Sequence, residues 1–96
     1  MQCAFSPLAE LDLEEIGDYI ARDNPSRAVS FIREIREQCA KITAMPLAAP
    51  LRHELGEGIC MAPLGQYLVF YTVDAESIRI ERVLHGARNI PALFDA

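Results

Sequence analysis

Residues 5–32 read FSPLAELDLEEIGDYIARDNPSRAVSFI, and this stretch decides the fold because it carries two helix starts only 18 residues apart. Ser6-Pro7 is the first. A serine oxygen can accept a bond from an orphan backbone N–H, and proline suits the first helical position because its missing donor is not needed there. Ala9, Leu13, Ile16 and Ile20 then recur at helical spacing. Glu10, Glu14, Asp18 and their neighbours take the opposite face and favour the positive end of the helix dipole. Asn24-Pro25 repeats the start signal and breaks the first helix near Arg22. A second stripe, Ala28, Ile32, Ile35, Cys39 and Ile42, runs about four turns to Met45-Pro46. So short a connection predicts an antiparallel helical hairpin.

Working outward, Cys3-Ala4-Phe5 reads as a short first strand. Residues 47–57 show no sustained period and read as an irregular crossing. Gly58–Ala62 is a short strand, Pro63-Leu64-Gly65 a turn, and Gln66–Val73 (QYLVFYTV) a strand rich in aromatic and β-branched residues with almost no polar face. Asp74–Ser77 makes a hairpin turn. In the last strand, Ile78–His85, the set Ile78, Ile80, Arg82 and Leu84 alternates with the more polar Arg79, Glu81, Val83 and His85. The order β-α-α-β-β-β predicts an α+β, two-layer fold, with the N-terminal strand in a small, mainly antiparallel sheet and the hairpin packed on one face. Tyr67, Val69 and Tyr71 alternate with Leu68 and Phe70, so both sides of the third strand are apolar. One side is expected to stand open and to call for a protein partner.

The chain has 96 residues, 51% of them apolar and 24% charged. That suffices for a single domain over 1–96, burying about 60 to 65% of its unfolded surface. Five acidic residues between Glu10 and Asp18 exclude a signal peptide or membrane span at the N-terminus and point to the cytosol. Cys3, Cys39 and Cys60 fit no metal-ligand spacing and read as small apolar residues, with no metal or cofactor implied. Net charge is −5, with 5 basic and 8 acidic residues in positions 1–50 and 4 basic and 6 acidic in 51–96. Neither half is a basic module, which argues against direct binding of nucleic acid.

Residues 82–94, RVLHGARNIPALF, hold the remaining candidates. His85 reads most simply as a half-buried imidazole at a strand end, bonded to backbone or to an acid. Gly86 would turn the chain with a positive φ. Ile90, Leu93 and Phe94 would pack the tail and leave Arg88 and Asn89 at the rim. His85 with Arg82 and Arg88 could form a minimal acid and phosphate clamp. A Cys60–His85 nucleophile pair lacks a third group to orient the imidazole. His53 reads as a loop residue.

Three segments together, FSPLAELDLEEIGDYIARDNPSRAVSFI, PLGQYLVFYTV and IERVLHGARNIPALF, resemble the RelE/ParE superfamily of bacterial toxin-antitoxin modules, and its ParE branch most closely, from Phe5 to Phe94. The resemblance implies a toxin held inactive by a cognate antitoxin, a ParD-like protein of the ribbon-helix-helix DNA-binding class. ParE-type members poison DNA gyrase and block replication; RelE-type members cleave messenger RNA on the ribosome. On the ParE reading Arg82, His85, Arg88 and Asn89 contact the target, Tyr67, Val69 and Tyr71 contact the antitoxin, and there is no catalysis. The alternatives are a ribosome-dependent endoribonuclease using His85, Arg82 and Arg88, or a non-toxic remnant that only binds its antitoxin. RNA cleavage needs a base, an acid and cations on the phosphate. RelE-type members supply several lysines and arginines on the sheet, whereas here Lys41 lies on a helix and Phe94 stands where a tail tyrosine is common. The chain also departs from the ParE pattern: many members place an arginine after LGEG, and this one reads Ile59-Cys60-Met61.

Overall fold

The computed structural model describes residues 2–44, 56 and 58–87. The elements are β1 (Gln2–Phe5), α1 (Pro7–Ala21), α2 (Pro25–Ile42), β2 (Cys60–Leu64), β3 (Tyr67–Val73) and β4 (Ser77–His85). The expected order and the α+β, two-layer architecture are observed. Both caps form as the sequence implies: Ser6 Oγ accepts from the Ala9 N–H at 3.0 Å, and Asn24 Oδ1 from the Arg27 N–H at 3.0 Å. Each satisfies a donor that the helix itself cannot, a contribution of about 1 kcal/mol.

The sheet runs β1-β4-β3-β2. β1 is parallel to β4, and β4, β3 and β2 are antiparallel to their neighbours. Placing the first strand beside the last closes the domain, because α1 and α2 must then cross the face of β4 and β3. Ala9, Leu13, Ile16, Ile35 and Cys39 pack from the helices onto Cys60, Val69, Tyr71, Ile78, Ile80 and Val83. Tyr71 and Ile35 are fully buried here, and removing such side chains typically costs about 2 to 5 kcal/mol.

Three sequence expectations change. The turn after β2 is Gly65-Gln66 rather than Pro63-Leu64-Gly65, since Pro63 and Leu64 pair with Leu68 and Tyr67. Proline is accommodated there because β2 is an edge strand, where a missing donor breaks no second ladder. The alternation of β4 also breaks. Tyr71 faces Ile80 while Phe70 faces Arg82, leaving Glu81 as an extra residue. This β-bulge inverts the sides beyond it. Val83 joins Ile78 and Ile80 under the helices, while Leu84 turns to the other face.

The third change concerns that other face. Phe70 and Leu84 are 0% and 1% exposed and cluster with Ile59, with Met61 and Leu68 packed against them. The centre of the second face is therefore covered, not open. The large apolar side chains exposed among the described residues lie instead on the helices: Leu8, Leu11, Tyr19 and Val29, at 48 to 67%. The expected crossing at 47–57 lies almost wholly outside the described residues, and so does His53.

Candidate functional site

The site grows from the bulge in β4. β1 stops at Phe5, opposite Ile80, so among the described residues no strand bonds the β4 edge beyond. Side chains from the start of α1 take over. The Ser6 hydroxyl donates to the Glu81 carbonyl at 2.8 Å while its oxygen caps α1, and Asp12 Oδ2 accepts the Val83 N–H at 3.0 Å. Buried backbone groups need partners, and here a helix N-terminus supplies them.

Asp12 does more. Arg82 donates to it twice, from Nε to Oδ2 at 2.8 Å and from Nη2 to Oδ1 at 2.9 Å. The side chains are 5% and 16% exposed. This bidentate pair holds the guanidinium firmly in its charged form: hydrogen bonding to Asp12 outweighs the effect of burial. Asp12 escaped the sequence reading because it sits in an acidic run. The signal was its spacing, three after Ala9 and four before Ile16, which puts a carboxylate beside the core stripe.

His85 ends β4 opposite Tyr67. Their rings meet edge to face at 5.3 Å and 82°, and the Phe31 ring lies 5.7 Å from that of Tyr67, tilted by 50°. His85 Nδ1 accepts the Ala87 N–H at 3.1 Å, so the neutral ring carries its proton on Nε2. The imidazole is half-buried and bonded to backbone, as the simplest sequence reading has it. Gly86 does not take a positive φ; its N–H donates to the Gln66 carbonyl at 2.9 Å and carries the β3–β4 pairing one step further.

Between α1 and these strands lies a cavity of about 360 Å³, lined by Asp12, Glu15, Tyr19, Gln66, Tyr67 and His85 among others. Burial and the neighbouring Tyr19 push the Tyr67 phenol up, so it stays protonated and can donate. Nothing in the sequence sets Glu15 and Tyr19 apart; both reach this cavity because they lie on the α1 turns next to Asp12 and Ile16. Among the described residues the cavity is negative: Arg82 cancels Asp12, and Glu15 remains. A phosphate would meet a carboxylate and a guanidinium already engaged.

The other named residues separate. Val69 and Tyr71 are 2% and 1% exposed, beneath the helices, so of Tyr67, Val69 and Tyr71 only Tyr67 presents surface. Cys60 stands opposite Tyr71 and His85 opposite Tyr67, about 13 Å apart along β3, so they are no nucleophile pair. Burial raises the Cys60 thiol as well. Arg88 and Asn89, with Ile90, Leu93 and Phe94, lie outside the described residues. Among the described residues no three His, Cys, Asp or Glu side chains are grouped to hold a metal ion, and no helix is long and apolar enough to cross a membrane.

A profile of the family described as ParE toxin of type II toxin-antitoxin system, parDE, matches residues 4–90. No curated protein matches the chain significantly. Among solved structures, a chain of the chromosomal ParDE toxin-antitoxin system from P. aeruginosa superposes with a TM-score of 0.77 at 20% identity, covering 88% of this chain and 95% of that one. A chain of the RelBE2 toxin-antitoxin complex from Mycobacterium tuberculosis gives 0.65 at 28% identity, with the same coverage.

Proposed function

Because the chain belongs to the ParE toxin family of type II toxin-antitoxin systems, we propose that it is a toxin that inhibits DNA gyrase, blocks replication and is neutralised by a ParD-like antitoxin. One observation favours this over RNA cleavage. The guanidinium nearest His85 in the last strand is locked to Asp12, and the cavity beside it carries the charge of Glu15, uncompensated among the described residues. A nuclease needs the reverse, free cations on a phosphate. Target contact is assigned to His85 at the end of β4 and to Arg88 and Asn89 in the following tail. Antitoxin contact is assigned to Tyr67 and to the exposed apolar residues of the hairpin, Leu11, Tyr19 and Val29, side chains of the kind an amphipathic segment packs against.

The test is gyrase-mediated DNA cleavage run beside translation of a defined message. Trapped, cleaved DNA with intact message is the expected result. The structural likeness to the RelBE2 complex supports a second reading, the ribosome-dependent endoribonuclease. Codon-positioned cuts that disappear in His85→Ala would establish it. Silence in both assays, with antitoxin binding intact, would mark a non-toxic remnant.

A further inference from the structure

The cavity beside α1 holds two carboxylates of unlike standing. Both oxygens of Asp12 are occupied, by Arg82 and by the Val83 N–H. Glu15 is exposed, makes no hydrogen bond or ion pair among the described residues, and acts on Arg82 only through space. The same cavity is lined by three ring-bearing residues, Tyr19, Tyr67 and His85. One negative charge left free among the described residues, beside aromatic side chains, selects among ligands. An anion meets Glu15 head on. An ammonium can pair with the carboxylate but has no plane to lay on a ring. A guanidinium does both, forking onto a carboxylate and stacking on phenol faces.

We propose that this cavity receives a single arginine side chain of the antitoxin, its guanidinium paired with Glu15 and lying against Tyr19 and Tyr67. This rests on the antitoxin reading above and adds to it the anchor chemistry. The net charge of −5 makes a basic segment the complementary partner, and about 360 Å³ admits one long side chain. Arg22, whose guanidinium carbon lies 5.9 Å from the Tyr19 ring centre, shows that this ring already accepts a cation.

The experiment has two arms. In the first, toxin refolded free of antitoxin is titrated with N-acetyl-arginine amide, and with its citrulline and lysine counterparts, while the ring signals of Tyr19, Tyr67 and His85 are followed by NMR. The arginine amide shifts them at millimolar concentration, the other two amides at least about fivefold more weakly, and Glu15→Gln abolishes the response. In the second, Glu15→Gln weakens the toxin-antitoxin complex about tenfold or more, and one antitoxin arginine-to-alanine change adds almost nothing further on that background. Ring signals indifferent to arginine, equal response to lysine, or full additivity for every antitoxin arginine would each overturn the proposal. A wild-type toxin that forms no complex with the product of its neighbouring gene would remove the antitoxin reading instead, and the amide titration would then decide the cavity by itself.

Discussion

Asp12 and Arg82, separated by 70 residues in the chain, face each other through two nearly equal hydrogen bonds of 2.8 and 2.9 Å. The same carboxylate also holds the Val83 N–H. One side chain of α1 thereby secures the charge, the backbone and the position of β4 just past its bulge.

Removing either partner strands a charge with little water around it. Asp12→Ala and Arg82→Ala should each cost about 3 to 5 kcal/mol, a large share of the roughly 5 to 15 kcal/mol a domain commands. The double variant should lie within about 1 kcal/mol of Asp12→Ala alone, because once Asp12 is gone the Val83 N–H is already unpaired and removing Arg82 only takes away a stranded charge. Urea unfolding of the four proteins measures this. Full additivity would show that the pair contributes no coupling.

Gly65 offers a smaller, cleaner effect. Its φ is +60°, and an added Cβ would meet nothing within 4 Å, so substitution there reports backbone strain alone. Gly65→Ala should cost about 1 to 2 kcal/mol, and Gly65→Asn clearly less, because asparagine tolerates the left-handed region. Equal melting temperatures for the two variants would contradict the turn geometry.

What was legible in the sequence divides along physical lines. Both helices could be read because their signals are local: Ser6 and Asn24 cap, Pro7 and Pro25 follow, and the apolar stripes repeat. The strand order of the last three elements could be read from turns. The bulge at Glu81 could not, since it arises from how β4 pairs with β3 and from what Ser6 and Asp12 bond once β1 ends. That one extra residue moved Val83 beneath the helices and Leu84 away from them. The two-sided apolar character of β3 was visible, but the burial of Phe70 depends on long-range packing that no pattern within one strand reveals. At the site, His85 and Tyr67 stand out in the sequence and do meet, whereas Asp12 and Glu15 are hidden in an acidic run whose pattern is that of a solvated face.

Cys39 supplies a pH signature. Burial pushes its thiol up to about 12 from 9.0. A group whose folded value lies above its unfolded one gives stability that is complete below the unfolded value and is lost as pH rises through the folded one. Over the window from about 9 to 12 the loss attributable to Cys39 should approach about 4 kcal/mol. Tyrosine and lysine titrate there too, so the measurement is the difference between wild type and Cys39→Ala across that range. Cys39→Ala should be less stable at pH 8 but show the shallower decline; parallel curves would refute the assignment.

Whether Arg82 is a brace or a contact residue is the last point to test, and its partner allows a separation that Arg82 alone does not. If the guanidinium braces the fold, then Asp12→Asn, which keeps an acceptor for the Val83 N–H, and Arg82→Met both lower activity only by lowering the folded fraction. Excluded osmolytes such as trimethylamine N-oxide favour the compact state, so with both variants driven to the folded form, gyrase-mediated DNA cleavage should return to within about threefold of wild type, an effect under 1 kcal/mol. His85→Ala, whose imidazole is assigned to the target, should stay impaired while folded. If instead Arg82 grips a ligand, Asp12→Asn loosens the guanidinium and preserves or raises activity, while folded Arg82→Met stays inactive. Circular dichroism beside the cleavage assay, in the same buffer, distinguishes the two, and the second pattern would make Arg82 a contact residue rather than a brace.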